Sequence, residues 1–206
     1  MRTIYTKGRI IIETFIRHKL LQEIGEKRYN HSLRVMETSV RLAKKYNCDI
    51  EKAKLAGLLH DCAKFPDKTY LLNLANDFDI ILDDVLKYNY ELIHGPLGAI
   101  IAEKEYNIKD REILDAIKFH TTGRENMTLL DKIIYISDYI EPGRDFPGVE
   151  KVRSLAFDDL DGSILLAIDN TIEYLIDQKS LIHLNTIKAR NYMIQEKIEG
   201  DDNFNE

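Results

Sequence analysis

Apolar residues recur at three- and four-residue steps through almost the whole chain, and no stretch alternates convincingly at the two-residue step of a strand. RIIIETFIRHKLLQEI (9–24) and RYNHSLRVMETSVRLAKKY (28–46) both follow the helical period. Similar stripes predict helices over about 50–63, 67–77, 96–106, 110–120, 128–140, 158–179 and 185–197. Breakers fall between them: Pro66, Gly95-Pro96, Gly123, and the run from Pro142-Gly143 to Pro147-Gly148. With 206 residues and no internal repeat, the pattern predicts a single all-α helical bundle. An N-terminal helix over 1–25 is expected to pack on a domain of 26–197. The residues 198–206, ending EGDDNFNE, are expected to form a flexible acidic tail.

Against that pattern the stretch GLLHDCAKFPD (57–67) is anomalous. Its apolar run ends in His60 and Asp61, and a buried unpaired carboxylate costs several kcal/mol or gives up its charge. Other apolar faces carry similar interruptions. His31 shares a stripe with Val35, Thr38 and Leu42, and His120 closes the stripe Ile113, Ala116, Ile117. Asp138 sits inside IIYISDYI, one turn after Ile134, and His94 precedes Gly95-Pro96, where a helix begins. Alone, each reads as a satisfied core or capping residue. Together, in the order His31, His60-Asp61, His94, His120, Asp138, they read as a metal site projected inward from facing helices. Imidazole with carboxylate favours Fe, Mn or Zn over a thiolate-type site. Asp61 can present two oxygens, so it is the natural bridge if two ions bind.

The formal charge of −6 argues against a general nucleic-acid binder, so positive charge for an anionic substrate must be local. Lys64 lies three residues after Asp61, and Arg144 sits in the Gly/Pro-rich loop after the Asp138 helix, with a planar fork suited to phosphate. Arg124 has the same chemistry and a weaker position. His183, Asn185 and Thr186 open the last helix, either as nucleoside contacts or as a simple N-cap. His18 and Lys44-Lys45 read as solvated. Cys48 and Cys62 make neither a disulfide framework nor a metal pair, which suits free thiols in a reducing cytoplasm, with Cys62 a small buried filler. No apolar run approaches a membrane span, and no signal-peptide pattern opens the chain.

The H…HD…H…H…D order over residues 31–138 resembles the HD-domain metal phosphohydrolases, named for the adjacent His-Asp pair. Within that superfamily the chain is most similar to the bacterial YqeK group, the symmetrical diadenosine-tetraphosphate hydrolases. RYNHSLRV (28–35), AGLLHDCAKF (56–65), IHGPLGA (93–99), KFHTTGR (118–124), SDYIEPGRDFPGV (137–149) and HLNTIKARNY (183–192) carry the likeness. The resemblance implies an HD-domain bundle with one or two iron ions, Mn or another divalent ion being an alternative. It implies that His31, His60, Asp61 and Asp138 hold the core metal, and that His94 and His120 complete a second position or bind phosphates. Nucleotide or phosphate contacts are implied at His31, His94, His120, Thr121, Asp138, Arg144 and the segment Leu181, Ile182, His183, Leu184, Asn185, Thr186.

The expected reaction splits diadenosine tetraphosphate into two ADP through a metal-activated water, with Asp61 holding the metal and orienting the water and Lys64 assisting. A nucleotidase or guanosine alarmone hydrolase on the same scaffold is the alternative. A cyclic-dinucleotide phosphodiesterase is disfavoured, because no GYP signature follows the HD pair. A non-catalytic module with a structural metal is disfavoured by the open, His- and carboxylate-rich ligand set. The expected partner is the nucleotide alone, with no nucleic acid and no membrane, and the helices leave room for a homodimer.

Overall fold

The structure is a computed structural model that describes residues 2–202, with side-chain surroundings for residues 13–199. Among the described residues there are helices and turns and no strand. In chain order they are α1 (Arg2–Tyr46), α2 (Ile50–Leu59), α3 (Lys68–Asp77), α4 (Asp84–Tyr88), a 3-10 turn (Tyr90–Ile93), α5 (His94–Glu105), α6 (Arg111–Phe119), α7 (Leu129–Ile140), α8 (Val149–Leu155), α9 (Leu160–Asp177) and α10 (Leu184–Asp202). None of them is long and apolar enough to cross a membrane.

Several of the acidic residues behind the −6 charge start helices. Asp49, Asp67, Asp83, Asp110 and Asp159 each accept backbone N–H bonds at the first turn of α2, α3, α4, α6 and α9. Thr128 and Asp131 form a reciprocal capping box on α7. The two stripes over 9–24 and 28–46 join in α1 through a kink at Gly25, whose φ of 76° suits glycine. Ile16, Leu20 and Ile24, before the kink, are buried in the common core. The short α4 and α8 carry too few turns to show a period, and the sequence pattern passes over them. α10 runs on to Asp202, so residues 198–202 of the expected tail are helical; 203–206 lie outside the described residues.

α2 and α7 form the centre. Leu58, Leu59, Leu130, Ile133, Ile134 and Ile136 are almost wholly buried, with α1, α6 and α9 packed around them. This arrangement brings the ends of α2, α5, α6 and α7 to the inner face of α1. Two glycines set the spacing. A Cβ on Gly57 would meet Met36 Cα at 2.9 Å, and one on Gly95 would meet the Lys118 carbonyl at 2.7 Å. The α5–α6 approach that places His94 beside His120 therefore requires Gly95.

Candidate metal centre

The expected helix over 50–63 stops at Leu59. Three-residue turns take over, Cys62 N–H bonding to Leu59 O and Lys64 N–H to Asp61 O, and they aim His60 and Asp61 into the bundle. The six residues that interrupt apolar stripes or stand at helix ends converge there. His31 Nε2 lies 3.0 Å from Asp138 Oδ1 and 3.2 Å from His60 Nε2. His94 Nε2 lies 3.1 Å from His120 Nε2. Asp61 stands between the two imidazole pairs. Its Oδ2 is 3.6 Å from His31 and 3.5 Å from His60, and its Oδ1 is 3.2 Å from His94 and 3.6 Å from His120.

Backbone and second-layer contacts fix the imidazole tautomers. The Nδ1–H groups of His60, His94 and His120 donate to the carbonyls three residues earlier, of Gly57, Glu91 and Ile117. His31 Nδ1 lies 3.1 Å from the Glu141 carboxylate. Each ring thus offers an Nε2 lone pair to the centre. Lone pairs facing each other at 3.1–3.2 Å repel unless a proton or a cation lies among them. Two sets with donor atoms within 4.8 Å, His31/His60/Asp138 and His60/Asp61/His120, could hold an ion. A neutral imidazole has one free lone pair and cannot bridge two ions, whereas Asp61 has an oxygen toward each set. The donor set fits a divalent metal.

Cations ring this centre. Arg28 Nη1 bonds Asp61 Oδ2 at 2.8 Å. Arg144 bonds Asp138 through both its backbone carbonyl, at 2.8 Å, and its carboxylate. Lys64 Nζ sits 2.8 Å from the Glu91 carboxylate and 3.3 Å from His94 Nδ1. The side chains of Arg28, Lys64 and Arg144 stay 24–35% exposed, enough to turn toward an incoming anion. Arg34 is spent on Glu141, at 2.5 Å.

The sequence pattern passed over Arg28, Arg34 and Glu141. Arg28 is one turn before His31 and Glu141 one turn after Asp138, spacings that put them on the same helix faces. Arg124, by contrast, is not in the centre. It pairs with Asp131 at 2.7 Å and Asp115 at 3.2 Å and ties the loop before α7 to α6. Cys62 is fully buried, with its thiol against the Gly98 carbonyl.

Thr121 adjoins the centre and also lines a cleft of about 550 Å³, whose walls include Phe78, Ile80, Phe119, His183 and Asn185. His183 pairs with Asp83 at 2.9 Å, and its Nδ1 accepts the Asn185 N–H, so the cap of α10 belongs to His183 rather than to Asn185 or Thr186. Thr186 is buried, Ile182 is half-buried, and Leu181 and Leu184 face solvent. The structure therefore brings His183 and Asn185 to the cleft and leaves Leu181 and Leu184 open.

Burial alone would raise the Asp61 carboxyl, but His60, His120 and His94 hold it well below the usual range. Asp138 and Glu141 are also low, against burial, through His31, His60 and Arg144 for the first and Arg34 for the second. His60 is raised, its burial outweighed by Asp61, while burial lowers His120.

A carboxyl whose folded value is depressed stabilises the fold above its unfolded value, about 4, and loses that contribution as pH falls through the folded value. His60 acts in the opposite sense, its contribution complete below about 6.5 and lost as pH rises through its folded value. His120 loses stability on acidification and offsets His60. The urea midpoint of the metal-free protein is therefore expected to drop steadily below about pH 4, where the three carboxylates dominate. A midpoint constant from pH 6 to pH 3 would contradict this.

A sequence profile of the HD domain matches residues 28–143, a span that contains all six converging residues. The chain belongs to the HD-domain family. It is 46% identical to a Halalkalibacterium halodurans protein named "Bis(5'-nucleosyl)-tetraphosphatase, symmetrical", over 84% of this chain and 92% of the other. A Staphylococcus aureus protein of the same name is 43% identical, over 87% and 94% respectively. Among solved structures, a Clostridium acetobutylicum protein described as a predicted HD superfamily hydrolase involved in NAD metabolism superposes with a TM-score of 0.86. That protein is 49% identical, and the match covers 89% of this HD-domain chain and 97% of that one.

Proposed function

We propose that this chain hydrolyses the central phosphoanhydride of diadenosine tetraphosphate. The observation that carries the reading is the near-full-length likeness to symmetrical bis(5'-nucleosyl)-tetraphosphatases in a chain with two His/Asp groups that could hold a metal. Water adds hydroxyl to one central phosphorus, the bridging oxygen leaves with the other half and takes the remaining proton, and two ADP result. In this reading His31, His60, Asp61 and Asp138 would hold an iron ion, with Mn or another divalent ion as the alternative, and His94 and His120 would serve a second ion or the phosphates. A divalent ion bound there supplies an activated water at neutral pH and polarises phosphoryl oxygens.

The chain's own side chains do the rest. Asp61 accepts from the attacking water and orients it, and Arg28, Lys64 and Arg144 neutralise phosphate charge that grows in the transition state. Thr121, His183 and Asn185 contact a nucleoside half in the larger cleft. The thiols of Cys48 and Cys62 are both free, which fits a cytoplasmic enzyme.

The test is to incubate the metal-loaded protein with diadenosine tetraphosphate and separate the products by chromatography. ADP alone is expected. AMP with ATP refutes symmetric cleavage, and orthophosphate from mononucleotides with the dinucleotide left intact supports the nucleotidase alternative.

A further inference from the structure

A second cavity, of about 240 Å³, shares Thr121 with the larger cleft but is otherwise separate from it. His120, Asp138 and Arg144 join it to the centre, and Tyr135, Tyr139, Phe146 and Thr171 complete its lining. Tyr139 and Phe146 stand edge to face, ring centroids 5.1 Å apart at 87°, and both are only half-buried. Asn170 donates to the Tyr139 hydroxyl at 3.5 Å, which steadies that ring. Phe146 comes from the loop between α7 and α8, the same loop that supplies Arg144, so an aromatic face and a phosphate-reading fork arrive together.

We propose that this cavity is the subsite for the second nucleoside of the substrate, its base lying against Tyr139 and Phe146. The inference rests on the dinucleoside-tetraphosphate reading above. A substrate with identical ends, cut in the middle, needs equal lengths of phosphate on both sides of the reacting bond. One nucleoside anchor fixes only one end and leaves the cut to be set by the phosphates alone. Two anchors, one in each cavity that meets Thr121, centre the bridge over Asp61. Stacking on an aromatic face tolerates any base, so this subsite recognises a nucleoside without strong base selection. Arg144, between the aromatic corner and the centre, reads the phosphate nearest that nucleoside.

The experiment measures hydrolysis and product binding with metal-loaded, full-length protein. Phe146→Ala and Phe146→Leu are each expected to raise KM for diadenosine tetraphosphate about tenfold, with a smaller change in kcat. Phe146→Leu keeps apolar bulk, so its effect separates the aromatic face from packing. Calorimetric titration with ADP is expected to count two sites per chain in the wild type and one in Phe146→Leu. An unchanged KM in Phe146→Leu overturns the subsite. A chain that cleaves the dinucleotide but binds a single ADP also overturns it and leaves the hydrolase reading standing. A chain that binds two ADP and leaves the dinucleotide intact overturns the hydrolase reading instead.

Discussion

Replacing Asp61 by Asn is expected to lower kcat/KM about 10³-fold while the bundle still folds. Both Asp61 oxygens are engaged, Oδ2 toward His31 and His60 and Oδ1 toward His94 and His120. An amide presents one oxygen and one N–H2 group, so whichever way it turns, one imidazole pair faces a donor where it had an acceptor. Ion binding therefore weakens at both sets at once. Asp138→Asn, by contrast, weakens a donor of the His31/His60/Asp138 set alone. Losing Lewis-acid assistance costs several kcal/mol, on the order of 10³ in rate. The expected results are a fall of roughly that size in kcat/KM and a larger loss of metal per chain in Asp61→Asn than in Asp138→Asn. The second is read by elemental analysis. Hydrolysis within about tenfold of wild type in Asp61→Asn would mean that the paired oxygens do not carry the chemistry.

The six centre residues were legible because each interrupts an apolar stripe or stands at the end of a predicted helix. His31 beside Val35 and Leu42, or Asp138 inside IIYISDYI, is conspicuous for that reason alone. Arg28, Arg34 and Glu141 gave no such signal, since a charged residue on an amphipathic helix is ordinary until its partner is known. Glu141 is nearly inaccessible, and only the fold shows that α1 supplies both His31 and Arg34 to receive it.

The same limit applies to helix ends. Periodicity carried α2 through to residue 63, whereas the turn at His60, held by its bond to Gly57, ends the helix and makes the centre. Arg124 shows the reverse limit. An Arg in a glycine loop suggests phosphate, yet Asp131 and Asp115 already occupy it.

Glu141→Gln is expected to weaken metal binding through His31, without touching a donor atom. One Glu141 oxygen faces His31 Nδ1 at 3.1 Å. The other accepts from Arg34 Nε and from the Gly143 N–H, each at 2.5 Å. Glutamine cannot reproduce that arrangement. If its oxygen turns to His31, its N–H2 meets the Arg34 and Gly143 donors, and those bonds are lost. If its oxygen stays with them, its N–H2 faces Nδ1, which must then accept, and the ring proton moves to Nε2. That shift removes the lone pair His31 offers to the centre. Outer-layer partners of this kind are worth roughly 10–100-fold in metal affinity or activity. Competition against a chelator is expected to show a loss of that size in Glu141→Gln, and activity is expected to recover as the metal concentration is raised. A purely structural role would lower the melting temperature, leave the chelator competition unmoved, and give no recovery with metal.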